Sequence, residues 1–196
     1  MLYNTYRPGR FEDVVGQPAA VVLKNSLGHA IPTAFLLSGT RGVGKTTLAR
    51  IFARAVNCSG EGKPCGNCKS CKAVNHSDIL EVDSAVYRSR GEAEKIRDRV
   101  YTRPRCNRTV VIFDEAHMLT GQAMSVLLKV VEEPPADVTF LFLTTEPEKM
   151  DMALKSRCIW LALGVIGFDE LVGLLVKIVK EENILISKEA VYEIVS

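Results

Sequence analysis

The stretch Gly39-Thr40-Arg41-Gly42-Val43-Gly44-Lys45-Thr46 constrains this chain more than any other. It matches G-x-x-x-x-G-K-[ST] at every fixed position. It also falls between an apolar run, Ala34-Phe35-Leu36-Leu37, and a helical pattern from Thr46 to about Asn57. A strand–loop–helix unit of this kind turns backbone N–H groups inward around phosphate oxygens, and the helix N-terminus adds the positive end of its dipole. The glycines permit the backbone angles such a cradle requires. Lys45 is placed to reach the β and γ phosphates of a nucleotide, and the Thr46 hydroxyl to coordinate Mg²⁺, with Thr47 beside it.

The rest of the chain alternates. Ile79–Asp83, Val110–Phe113, Val138–Leu143 and Ile159–Leu163 read as further strands, with helices over Gln17–Ala30, Glu92–Val100 and Gly121–Glu132. Such alternation predicts an α/β fold with a five-stranded parallel sheet. Helical spacing puts Val21, Val22, Leu23 and Leu27 on the apolar stripe of the first helix, and Leu48, Ile51, Phe52 and Ala55 on that of the second. Tyr6-Arg7-Pro8-Gly9-Arg10-Phe11 reads as an extended or turning entry segment. After Leu163 the pattern becomes two helices, near Phe168–Glu182 and Lys188–Val195. The expected division is a core over 1–163 and the cut-off start of a helical domain over 164–196.

The second motif closes the third strand. Four apolar residues run into Asp114-Glu115, where Asp114 is placed to hold Mg²⁺ through water and Glu115 to act as base or water-orienting group. A solvated acidic pair capping the next helix is the plain alternative. With Ala116-His117 the pair spells D-E-A-H, which invites a helicase reading; the H-E-x-x-H spacing of zinc peptidases is absent. Thr144-Thr145 end the fourth strand, where polar residues are expected beside the γ-phosphate between the first and third strands. Simple strand capping explains them equally well. Single histidines at 29, 76 and 117 make no triad.

Four of the six cysteines, Cys58, Cys65, Cys68 and Cys71, form C-x₆-C-x₂-C-x₂-C. Two adjacent C-x₂-C steps fold a tight knuckle, and four thiolates suit structural Zn²⁺ with no open catalytic position. Redox disulfides or an iron–sulfur cluster are the other uses of such spacing. Cys106 and Cys158 have no partner at ligand spacing. Lys and Arg number 25 against 23 Asp and Glu, a net charge of +2, so contact with nucleic acid has to come from local patches. The one membrane-like stretch, 159–179, carries Asp169 and Glu170 at its centre, so no membrane span is expected. No secretory h-region opens the chain, and a cytoplasmic, reducing setting is expected.

Taken in order, these motifs resemble the gamma/tau subunits of bacterial clamp loaders, AAA+ ATPases of the DNA polymerase III holoenzyme. The resemblance runs from Tyr6-Arg7-Pro8 and Phe11-Glu12-Asp13-Val14-Val15-Gly16-Gln17 through the phosphate loop. It continues in Asp114-Glu115-Ala116-His117-Met118-Leu119, Leu127-Leu128-Lys129, Glu132-Glu133-Pro134-Pro135 and Ser156-Arg157-Cys158. It implies an AAA+ core with a zinc knuckle at 58–71 and a truncated helical lid. It implies ATP, Mg²⁺ and Zn²⁺ as cofactors, with hydrolysis driving the loading of a sliding clamp onto primed DNA within a hetero-pentameric ring of clamp loader subunits. Val14 and Val15 would border the adenine, and Tyr6, Arg7 and Pro8 the ribose and base edge. Thr145 takes the sensor-1 role and Arg157 that of an arginine finger given to the neighbouring subunit. On its own residues Arg157 reads as a surface salt-bridge partner. Three departures stand out: a longer stretch after Asp83, Ser125 where the family usually has Asn, and an end at Ser196, before the sensor-2 arginine and the collar. A shortened chain, or a phage- or plasmid-encoded relative, fits them. The rival functions are a non-hydrolysing scaffold subunit of the clamp loader and an AAA+ branch-migration or replication-restart motor.

Overall fold

A computed structural model describes residues 2–28, 30–86 and 89–195; His29 and Tyr87-Arg88 of the stretch after Asp83 lie outside them. In chain order the elements are α1 (Leu2–Thr5), α2 (Pro18–Ser26), β1 (Ala34–Ser38), α3 (Lys45–Val56), α4 (Lys69–Lys72), β2 (Ile79–Asp83) and α5 (Arg90–Val100). Then come β3 (Thr109–Asp114), α6 (Gly121–Glu132), β4 (Val138–Thr144), α7 (Met152–Lys155), β5 (Ile159–Ala162), α8 (Phe168–Glu181) and α9 (Lys188–Val195). The five strands make one sheet in the order β2-β3-β4-β1-β5. Every pairing is parallel, with Leu36 opposite both Phe142 and Trp160, and Val111 opposite both Leu80 and Phe140. β4 therefore lies between β1 and β3, as expected, and brings Thr144 level with Ser38.

The central strands are apolar on both faces because helices cover both. On one face Leu23 of α2 and Leu48, Ile51 and Phe52 of α3 pack on Phe35, Leu37, Ile112 and Leu141, with Phe35 edge-on to Phe52 at 5.3 Å. On the other, Val100 of α5 and Leu127 and Val130 of α6 pack on Val111, Phe113 and Phe140; Phe113 stacks on Phe142 at 5.1 Å. The inward residues of α3 are those its periodicity predicts. α2 differs: it ends at Ser26, and Val21 and Val22 are exposed while Ala19, Ala20 and Leu23 are buried. Pro18 fixes the first turn, and residues 19, 20 and 23 then share one face, where two alanines let the helix approach the core. α5 begins two residues before its expected start, because Ser89 and Glu92 form a reciprocal cap: Glu92 N–H donates to Ser89 Oγ (3.3 Å) and Ser89 N–H to the Glu92 carboxylate (2.9 Å).

Asp78, fully buried just before β2, pins the approach to β3. Its carboxylate accepts N–H bonds from Arg105 (3.0 Å) and Cys106 (2.8 Å) and a contact from Arg99 Nη2 (3.3 Å). Burial alone would push the carboxyl up, but these donors outweigh it and hold it below the ordinary aspartate value. The stabilisation is thus present above the unfolded-state value near 3.9 and is lost as pH falls through the depressed native one. Asp78→Ala leaves the Arg105 and Cys106 N–H groups without their acceptor, while Arg99 keeps Ser77 O at 2.7 Å, and should cost about 2–4 kcal/mol in urea unfolding at neutral pH. A loss below about 0.5 kcal/mol would contradict the assignment.

Beyond β5 the chain stays attached to the sheet: Leu163 N–H donates to Ser38 O (2.7 Å), and Gln17 Nε2 to Gly164 O (2.8 Å). α8 and α9 pack on each other, with Phe168 stacked on Tyr192 at 5.7 Å. None of the described helices is long and apolar enough to cross a membrane.

Candidate functional site

The loop after β1 can run as it does because of Gly39. A Cβ there would lie 2.5 Å from Leu163 O and 3.0 Å from Val43 Cγ2. Gly42 and Gly44 have φ of +90° and +100°, the left-handed region. The loop then enters α3, and Lys45 folds back over it, Nζ donating to Gly39 O (2.7 Å) and Thr40 O (2.9 Å). Only 7% of Lys45 is exposed. Burial lowers the pKa of its ammonium below the ordinary lysine value, opposed by the pull of Glu115 and Asp114.

A cavity of about 600 Å³ opens above the loop. It brings together Arg7, Arg41, Gly42, Gly44, Lys45, Thr46, Thr47, Asp114 and Glu115 from the sequence-derived set. Thr46 Oγ1 donates to Asp114 Oδ2 at 3.1 Å, so the two oxygens proposed to face Mg²⁺ are already adjacent. A hydroxyl beside a carboxylate is the hard-oxygen donor set such a cation prefers. Glu115 sits at φ +47°, and its Oε2 accepts from the Thr145 hydroxyl at 3.1 Å. Arg7 Nε donates to Thr47 Oγ1 (3.1 Å), which ties the entry segment to α3.

Other candidates sit elsewhere. Tyr6 donates its hydroxyl to Glu182 Oε1 (2.8 Å), which helps raise its pKa to about 12. Pro8 lines a neighbouring cavity with Arg7 and Arg54. Val14 packs against the core, and Val15 is half-buried outside the cavity lining. Arg157, just before edge strand β5, donates to Ala153 O (2.7 Å) and to Glu132 Oε1 (2.5 Å) of its own chain. Sequence reasoning missed Glu81, Val82, Asp83 and Ile112 in the lining. Asp83 lies in register with Asp114, and Glu81 receives both arms of Arg50 at 2.8 and 2.6 Å. The available signal was their position towards the carboxyl end of a parallel strand, where ligands of such sheets collect.

The four knuckle cysteines converge, with all their Sγ atoms within 4.8 Å of one another. Tetrahedral zinc–thiolate bonds of about 2.3 Å place sulfurs roughly 3.8 Å apart, so the set fits the ion with small adjustment. Backbone N–H groups already point at the sulfurs: Gly60 and Cys65 at Cys58, Asn67 and Cys68 at Cys65, and Cys71 at Cys68. The Cys71 N–H leads in bringing the Cys68 thiol down to about 5, whereas burial pushes Cys71 up to about 12. Gly60 is required by this packing, since a Cβ there would stand 2.8 Å from Cys65 Sγ. Cys106 and Cys158 are free, and burial raises Cys158 to about 12.

A phosphate loop on β1, paired acids closing β3 and the strand order β2-β3-β4-β1-β5 define a P-loop ATPase fold of the AAA+ class. The Thermotoga maritima RuvB Holliday junction branch migration motor shares that fold, with a TM-score of 0.71 over 97% of this chain and 59% of that one at 22% identity. The chain belongs to the family described as DNA polymerase III, delta subunit, whose model matches residues 17–166. Bacillus subtilis DNA polymerase III subunit tau is 41% identical over 191 residues, 93% of this chain and 34% of that protein. The Escherichia coli tau subunit is 39% identical over 196 residues, 94% of this chain and 30% of the relative. The chain thus spans about a third of the length of these relatives.

Proposed function

We propose that this chain is the ATP-binding and ATP-hydrolysing part of a clamp loader subunit of the gamma/tau type. The carrying observation is the convergence of Lys45, Thr46, Asp114 and Glu115 on one cavity at the carboxyl ends of β1 and β3. Backbone N–H groups of 39–46 and the Lys45 ammonium hold the phosphates. Thr46 and, through water, Asp114 would hold Mg²⁺, which would supply charge neutralisation for the phosphates. Glu115 orients and deprotonates the attacking water, and Thr145 fixes the Glu115 carboxylate. Arg157, at the sheet edge, serves the neighbouring subunit's nucleotide rather than its own. ATP held between Lys45 and a neighbour's Arg157 orders the ring, the sliding clamp and primed DNA bind that ordered state, and hydrolysis dissolves it. We place the division between core and lid at Leu163–Gly164.

Full-length chain assembled with its partner subunits should hydrolyse ATP, faster with clamp and primed DNA present. No stimulation by either would overturn the clamp-loading role.

Cys58, Cys65, Cys68 and Cys71 hold one structural Zn²⁺ per chain, remote from hydrolysis. Protein purified without added zinc should carry close to one equivalent. It should release the metal as pH falls, because each ligand must be deprotonated to bind. Less than half an equivalent in reduced protein, or an iron chromophore, would contradict this.

A further inference from the structure

We infer that His117 is a positioning residue for ATP hydrolysis, gripping β4's end on either side of Thr145 so that the Thr145 hydroxyl meets Glu115. The inference rests on the ATPase reading. The imidazole side chain is only 7% exposed and lies between two segments of the site. Its Nε2 is 3.1 Å from Glu146 Oε1, and its Nδ1 is 3.0 Å from Thr144 Oγ1. A carboxylate only accepts, so Nε2 carries the hydrogen. Nδ1 shares a hydrogen bond with the Thr144 hydroxyl, whose oxygen accepts the Glu146 N–H at 3.0 Å. This closes a ring of hydrogen bonds through His117, Thr144 and Glu146. Glu146 is held from the far side by Lys149.

The consequence falls on the residue in between. Thr145 is flanked by two residues that His117 holds, and its own hydroxyl donates to Glu115 Oε2 at 3.1 Å. Glu115 Oε2 also lies 3.5 Å from Nδ1, too long for a hydrogen bond and on an atom already engaged by Thr144. His117 therefore does not replace Thr145 as the partner of Glu115; it acts through it. Ala116 to Met118 forms a single 3-10 turn directly after Glu115, so imidazole and carboxylate share one short rigid segment. The D-E-A-H string thus gains a use for its last residue that requires no helicase chemistry.

The test uses full-length chain in the assembled complex with clamp and primed DNA, measuring kcat and KM for ATP. His117→Ala should lower kcat about 10- to 100-fold, as misplacement of a catalytic group does, and leave KM within about threefold. In the Thr145→Val background the same change should cost less than about threefold, since one path is already broken. His117→Asn, which keeps a polar group at the Nδ1 position, should recover part of the loss. Should His117→Ala fail to fold, Thr144→Val removes the His117 contact together with the Glu146 N–H contact at constant volume, and should show the same kcat loss and the same non-additivity. Unchanged kcat, a loss carried by KM, or fully multiplicative effects with Thr145→Val would overturn the inference. Absence of hydrolysis by the unsubstituted complex would instead overturn the ATPase reading beneath it.

Discussion

Lys45→Ala in the full-length chain should weaken binding of Mg-ATP by about 100-fold or more. That factor corresponds to roughly 2.7 kcal/mol, within the range of one or two charge-assisted hydrogen bonds. The ammonium now rests on Gly39 O and Thr40 O inside the loop. It needs only to turn outward to meet phosphate, and its partial desolvation strengthens that contact. Glu115→Gln separates binding from chemistry. The amide keeps the shape of the side chain and its contact with Thr145 but cannot take a proton. ATP affinity should stay within about threefold while turnover falls by about 10²–10⁴, the usual contribution of a general base. Titration with a fluorescent ATP analogue and single-turnover hydrolysis separate the two effects. Normal affinity in Lys45→Ala would mean that this loop does not bind the phosphates.

Arg157→Ala should cut turnover of the assembled complex by about 10³ or more while leaving ATP affinity nearly intact, as expected of an arginine finger. In the single chain this arginine is satisfied at home, on Glu132 and Ala153. As a salt bridge alone it would contribute under about 1 kcal/mol of stability and nothing to catalysis. Its place argues for more. Cys158 follows it into the core and β5 is an edge strand, so the guanidinium stands at the sheet margin, outside the lining of the cavity above its own phosphate loop, where the proposed neighbour would dock. To reach that neighbour's γ-phosphate it must leave Glu132. The isolated chain should therefore bind ATP and hydrolyse it very slowly.

How much of this was legible in the sequence follows from where each feature's information resides. β1, β3 and β4 read clearly because burial on both faces leaves a continuous apolar run, and α3 because one face carries all its large apolar residues. On α2 the expected Leu23 is buried and Leu27 packs on the core, but the rest of the buried face is Ala19 and Ala20, which weigh little in a sequence against two adjacent valines that point outward. The phosphate loop, Asp114-Glu115 and the cysteine knuckle are each written in one short stretch. Glu81, Asp83 and Ile112 are not, since their place in the cavity depends on β2 lying beside β3 in a sheet order no local pattern states. The same holds for the Arg157–Glu132 pair, and for Tyr6, whose partner Glu182 stands at the other end of the chain. His117 looked like an isolated histidine because its partners at 144 and 146 lie on another strand's end.

In the proposed mechanism a complete hydrolytic site is built from two chains, Lys45 and Glu115 from one and Arg157 from the next. The direct measurement is ATP turnover by complexes assembled from Lys45→Ala chains, from Arg157→Ala chains, and from an equal mixture. Each single population should be nearly inactive. The mixture should regain measurable turnover, because an Arg157→Ala chain beside a Lys45→Ala chain restores one intact site. Turnover in the mixture no higher than the average of the two separate populations would contradict the claim.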